Sequence, residues 1–182
     1  MSLKMKRSTK FPIDRYIPMI SLCILVVLLI SMPAFAEQSN FIASLSGQAL
    51  SPSVSTSATG TAKFNLDPNG NMVYQIDAKN LKGVIGAHIS LKNGTDLAQV
   101  FNSYMGINGK SEIPTGVVNG QLSKRVITAS DLSGPLSGKN VNDLTNLMKN
   151  NSVYVVVRTQ AHENGEIQGV ITPSNAGYKQ GI

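Results

Sequence analysis

The chain has no tryptophan, and among its 182 residues a single cysteine and two histidines. Cys23 lies inside an apolar run near the N-terminus, so residues 37–182 carry no thiol. A domain built from them has no disulfide, no cysteine nucleophile and no thiolate metal site. His88 and His162 are too few for a transition-metal site, which needs three or four ligands. Carboxylates are also sparse, and most stand beside turn sequences. No pair is placed for general acid–base work, and no Gly-x-Ser-x-Gly elbow occurs. With no catalytic constellation and no cofactor motif, the chain reads as a non-enzymatic protein.

The formal charge of +6 suggests a polyanionic partner, but its distribution argues otherwise. Lys4, Lys6, Arg7, Lys10 and Arg15 precede the apolar run, with only Asp14 against them. The remainder holds eleven basic and nine acidic residues, a net +2. No basic patch is interleaved with aromatics, so nucleic acid is not an expected partner. The basic leader, the apolar Ile17–Ile30 and the small residues of Ala34-x-Ala36 form the layout of a secretory signal, with cleavage expected after Ala36. If uncleaved, residues 17–36 are long enough to anchor the chain in a hydrocarbon core of about 30 Å. Leu22 precedes Cys23 where lipid attachment needs a small residue. Either outcome puts residues 37–182, with the domain at 37–173, outside the cytoplasm, secreted or at the cell surface, with the membrane touched only through the N-terminal segment.

The rest of the chain alternates. Around Asp67-Pro68-Asn69-Gly70, a strong turn signal, Ala62, Phe64 and Leu66 on one run and Met72, Tyr74, Ile76 and Ala78 on the next share one face, with polar residues between them. This is the pattern of an antiparallel hairpin wet on one side. Further strands are expected within Phe41–Ser46, Gly83–Leu91, Leu97–Phe101 and Val117–Ile127, the last kinked at Asn119-Gly120. Ser51–Ser57 and Asn102–Gly116 read as loops. Asn140–Lys149 is the one helix: Val141, Leu144, Leu147 and Met148 form a stripe at helical spacing, Asn140 can cap it and Asp143 suits its N-terminus. Tyr154–Ile171 is the expected central hairpin, buried on both faces or nearly so, with Asn164-Gly165 as its turn. The tail 174–182 has no periodicity and is expected to be disordered. Five Asn-Gly pairs and short alternating runs predict an all-β, antiparallel Greek-key or meander β-sandwich with one short helix.

The motifs along this path resemble those of the chordin-type (CHRD) domain family over Phe41–Ile171. Phe41-x-Ala43-x-Leu45-Ser46-Gly47 is similar to its opening strand, and Thr59-Gly60-x-Ala62 followed by Tyr74 to its first hairpin. Gly86-Ala87-His88-Ile89 is similar to its histidine-bearing strand, and Asp131-Leu132-x-Gly134-Pro135-Leu136 to its pre-helix segment. Tyr154-Val155-x-Val157-x-Thr159 with Gly165-Glu166-Ile167-x-Gly169 is similar to its terminal hairpin. The resemblance implies an extracellular protein with an immunoglobulin-like or superoxide-dismutase-like sandwich, and in chordin the binding of secreted growth factors. Three positions depart from the pattern: Ser90 and Arg158 stand where family members usually have histidines, and Gln168 where they have arginine.

The candidate binding residues are therefore His88, Ser90, Arg158 and Glu166. Read structurally, His88 bonds to a neighbouring strand or to Glu166, and Arg158 pairs across the terminal hairpin with Glu166. Read functionally, they form a polar face that recognises an extracellular or envelope protein or polymer, aided by the loop 102–116. The competing reading is a copper- or zinc-dependent protein of the dismutase type using His88. Asn93-Gly94-Thr95 and Asn150-Asn151-Ser152 are N-glycosylation sequons at expected turns, with Asn93 and Asn150 as acceptors.

Overall fold

A computed structural model of the chain describes residues 40–102 and 116–174. The leader with Ala34 and Ala36, most of the expected 102–116 loop, and the tail beyond Ser174 lie outside the described residues. The strands are β1 (Asn40–Ser46), β2 (Thr59–Leu66), β3 (Met72–Lys82), β4 (Val84–Leu91), β5 (Asp96–Asn102), β6 (Val117–Ile127), β7 (Val153–Thr159), β8 (Ile167–Val170) and the short β9 (Thr172–Pro173). The helix α1 spans Val141–Lys149. All strand pairing is antiparallel, in the order β5-β4-β7-β8-β1-β2-β3-β6, with β9 beside β1.

Alternation decides which side chains go in. Ala62 and Phe64 of β2 and Met72, Tyr74, Ile76 and Ala78 of β3 are buried, while Lys63 is exposed. Leu66, expected on the same face, is only partly buried and packs at the core's margin. β7 is buried at Val153, Val155, Val157 and Thr159 on one face and at Val156 on the other. Leu50, from the excursion between β1 and β2, approaches Val156 closely enough that a Cβ on Gly165 would meet both side chains, at 2.8 and 3.0 Å.

The sheet curls toward closure. At one junction β8 meets β1 through Ser46 and Gln168 alone, and a Cβ on Gly169 would sit 2.2 Å from the Ser44 carbonyl oxygen. Only glycine allows the two backbones so close. At the opposite side β5 and β6 are the two ends of the path. There the Tyr74 hydroxyl and the Ser123 hydroxyl, the latter at 2.9 Å, both donate to the Val100 carbonyl. Burial is the main reason the Tyr74 phenol has a raised pKa; its hydrogen bond to Ser123 opposes the shift. The Greek-key or meander prediction rested on faces and turns, and those features do not report how far a sheet bends round on itself.

α1 forms where its signals stand. The Asn140 side chain accepts from the Asp143 amide at 3.1 Å, and the Asp143 carboxylate accepts from the Asn140 amide at 3.1 Å, a reciprocal cap. Nine residues are too few to hold a helix alone. Burial of Val141, Leu144 and Met148, at about 1.5–3 kcal/mol for each large side chain, holds it against the core. β6 carries the expected kink: its register with β3 shifts on either side of Asp77 and Ala78, and Gly120 takes φ +143°. The terminal hairpin is not a tight Asn-Gly turn. Residues 160–166 make a longer connection, bonded through Thr159 and His162, and only Gly165 of the pair has positive φ, at +132°. Ser174, expected to begin a disordered tail, donates its amide to the Asn40 carbonyl at 2.8 Å.

Candidate functional site

The outer face of β4, β5 and β7 carries a connected polar network. Pairing places Gly86 opposite Arg158, His88 opposite Val156 and Ser90 opposite Tyr154, while Asp96 pairs with Ser90 across the Asn93-Gly94 turn. The Arg158 guanidinium donates to both Asp96 oxygens, each at 3.1 Å, a bidentate geometry suited to a fixed carboxylate. The Ser90 hydroxyl donates to the same carboxylate at 2.6 Å. Arg158 also lies 3.4 Å from His88 Nδ1, and the Gln99 carboxamide lies 3.3 Å from His88 Nε2. Asn102 extends the chain to Gln99 at 3.4 Å. Gly86 gives the imidazole its place, since a Cβ there would lie 3.1 Å from His88 Cε1.

Both ring nitrogens of His88 face nitrogen donors, Arg158 at Nδ1 and the Gln99 amide at Nε2, and a neutral imidazole has one lone pair to offer them. The Gln99 oxygen is turned to the Asn102 amide, from which it accepts. Burial is the main cause that lowers the His88 pKa; the Asp96 charge raises it and the Arg158 charge lowers it further. For Asp96, burial works to raise the pKa. The Ser90 and Arg158 hydrogen bonds, with the charges of His88 and Arg158, outweigh it and hold the carboxyl below its ordinary value. The site at neutral pH thus contains one carboxylate, one guanidinium and one uncharged imidazole.

Three of the four candidate residues, His88, Ser90 and Arg158, meet here, and Glu166 does not. The expected Arg158–Glu166 pair does not form, because adjacent side chains of β7 point to opposite faces. Arg158 faces outward; Thr159 faces inward and donates to Glu166 at 2.7 Å. Thr56 donates to the other Glu166 oxygen at 2.7 Å, so this buried carboxylate ties the β1–β2 excursion to the terminal hairpin. Asp96 and Gln99 were missed. The signal for Asp96 was countable: from the Asn93-Gly94 turn outward, Leu91 bonds back to Thr95, and the next pair is Ser90 with Asp96.

Among the described residues, no group of three or more His, Cys, Asp or Glu is placed to hold a metal ion. Arg158 lies against His88 Nδ1 and bonds both Asp96 oxygens. Asn93 and Asn150 are both exposed. The Asn93 side chain accepts the Thr95 amide at 3.1 Å, and Asn150 closes the C-terminus of α1. Among the described residues, no helix is long and apolar enough to cross a membrane.

The CHRD domain model matches residues 41–171, from the first buried residue of β1 to the end of the terminal hairpin. The chain belongs to the CHRD domain family. No curated protein and no solved structure matches it. Within the matched span, Ser90 and Arg158 are the two residues that bond to Asp96. Of the family motif in the terminal hairpin, Glu166 makes the buried hydroxyl contacts, Ile167 is in the core and Gly169 permits the β1–β8 approach.

Proposed function

We propose that this CHRD-domain protein is a non-enzymatic binding module, secreted or held at the cell surface, whose ligand contacts the outer face of β4, β5 and β7. The observation that carries the reading is the Asp96–Arg158–His88 network, which lies on a sheet face open to solvent. Its side chains keep 32%, 26% and 15% exposure, enough to meet a partner and too ordered for a random charged surface. Family membership and the secretory layout of residues 1–36 support the extracellular setting. The membrane is met only through that N-terminal segment if it stays uncleaved, and the near-neutral remainder argues against nucleic acid.

The sheet that presents this face reads as a Greek-key sandwich. Its two halves, β6-β3-β2-β1 and β5-β4-β7-β8, meet at the narrow β1–β8 junction. With β5 and β6 brought together at Val100, the spatial order 7-4-5-6 is that of a Greek key.

The test is capture of envelope material by the purified protein and by its Arg158→Ala and His88→Ala variants. The expected result is capture weakened about tenfold or more by Arg158→Ala, the loss of a charge-assisted contact. Capture equal to the parent by both variants would remove this face from the account, and turnover of any captured material would contradict the non-enzymatic reading.

A further inference from the structure

We propose that the ligand is neutral and rich in hydroxyl groups, a sugar residue of an uncharged polysaccharide, seated where Gln99 and Asn102 meet the cleft between β5 and β6. The inference rests on the binding reading above and gives its ligand a chemical class.

Shape comes first. Between the two ends of the sheet path lies a cleft of about 240 Å³, walled by Gln99, Phe101 and Asn102 on β5 and by Arg125, Ile127 and Asp131 on and after β6. It is smaller than the roughly 300–1,000 Å³ of drug-sized pockets, a space for one small ring. Phe101 and Ile127 are buried and give it an apolar wall; amides and charges form its rim. Gln99 and Asn102 belong to both the cleft and the polar network, so a ligand in the cleft touches the network through them.

Charge selects the ligand. The network holds one cation and one anion, Arg158 and Asp96, bonded to each other twice. The cleft adds one of each sign, Arg125 and Asp131. No surplus of either sign is offered. An anionic ligand would have to draw Arg158 from Asp96, and a cationic one would have to draw Asp96 from Arg158; either leaves the abandoned partner partly desolvated. A polyol asks for neither. The carboxamides, the carboxylate and the imidazole present donors and acceptors side by side, matching the adjacent hydroxyls of a sugar ring, and the apolar wall suits its C–H face.

The experiment is calorimetric titration of the protein with cellohexaose, chitohexaose and mannohexaose, and with polygalacturonate as the acidic counterpart. At least one neutral hexasaccharide is expected to bind saturably, with affinity changing less than about twofold between roughly 0.05 and 0.5 M NaCl, since no net charge is being screened. Gln99→Ala is expected to weaken it about tenfold at an unchanged melting temperature, and Lys63→Ala on β2 to leave it unchanged. Failure of every neutral oligomer, binding of polygalacturonate alone with steep salt dependence, or indifference to Gln99→Ala would overturn the proposal. Envelope capture separates the two levels of the claim. Capture that needs Arg158 yet is not competed by an excess of any of the three neutral hexasaccharides ends the sugar assignment and leaves the binding face standing. Capture indifferent to both Arg158→Ala and His88→Ala ends the binding face itself.

Discussion

Asp96 and Glu166 lie on opposite sides of the sheet that contains β7, and they are held in different ways. Asp96 is half-exposed and meets a guanidinium and a hydroxyl. Glu166 is buried and meets the hydroxyls of Thr56 and Thr159, from segments far apart in the chain. In the first arrangement the carboxylate and the guanidinium both reach solvent and can meet a partner while still bonded to each other. The second is closed, so its loss leaves a buried hydroxyl proton without an acceptor. The difference separates a carboxylate that can serve recognition from one that fastens the fold, although both lie in the same family domain.

Glu166→Ala is the sharpest way to break this contrast. It leaves the proton of the fully buried Thr159 hydroxyl without its acceptor and releases the excursion holding Thr56, at an expected cost of about 3 kcal/mol, read by urea denaturation. A cost equal to that of an Asp96 variant would erase the distinction.

The seam between β5 and β6 repeats the closed type in uncharged form. Tyr74→Phe and Ser123→Ala are each expected to cost about 1 kcal/mol, because the Val100 carbonyl keeps the other donor. Together they are expected to cost about 3 kcal/mol, more than their sum, because the carbonyl then loses both side-chain donors. Strict additivity in the double-mutant cycle would mean that the two hydroxyls do not share that acceptor.

Arg158→Ala is expected to lower stability by about 1 kcal/mol or less, as for a pair partly open to solvent, while reducing envelope capture. A large stability loss would place Arg158 with Glu166 among the fasteners.

The smallest effect is in pH. His88 has a folded pKa below its ordinary 6.5, so its contribution to stability is present above that value. It declines as pH falls, because the unfolded ring binds a proton before the folded one does. The lowered Asp96 pKa has the same sign and is lost further down, through the carboxylate range. Stability is therefore expected to fall on acidification in two stages, and His88→Gln should flatten the stage just below pH 6.5 in melts taken across the pH range.

Much of this was written locally in the sequence. The Asn140–Asp143 cap, the Asp67–Gly70 turn, the inward Tyr74 and Ile76 and the bend at Gly120 depend on neighbours a few residues away, and simple periods reveal them. The closure of the sheet does not. It depends on Val100 meeting side chains from β3 and β6, and on Gly169 lying against Ser44, contacts between segments far apart in the chain. The site was half legible for the same reason. His88, Ser90 and Arg158 stood out as unusual residues on strands, but the partner of Arg158 was fixed by the pairing of β4 with β7 and of β4 with β5, 62 positions apart in sequence. Glu166 was misassigned because its nearness to Arg158 in the hairpin concealed that the two side chains leave the sheet on opposite faces.

The most direct test of the central claim is an NMR titration of the isotopically labelled protein with the neutral oligosaccharide it binds. The account predicts shifts confined to the backbone around His88, Asp96, Gln99, Asn102, Arg125 and Arg158, with Lys63 and Gln75 on the far strands unmoved. Shifts centred on β2 and β3, or spread evenly over the domain, would contradict it.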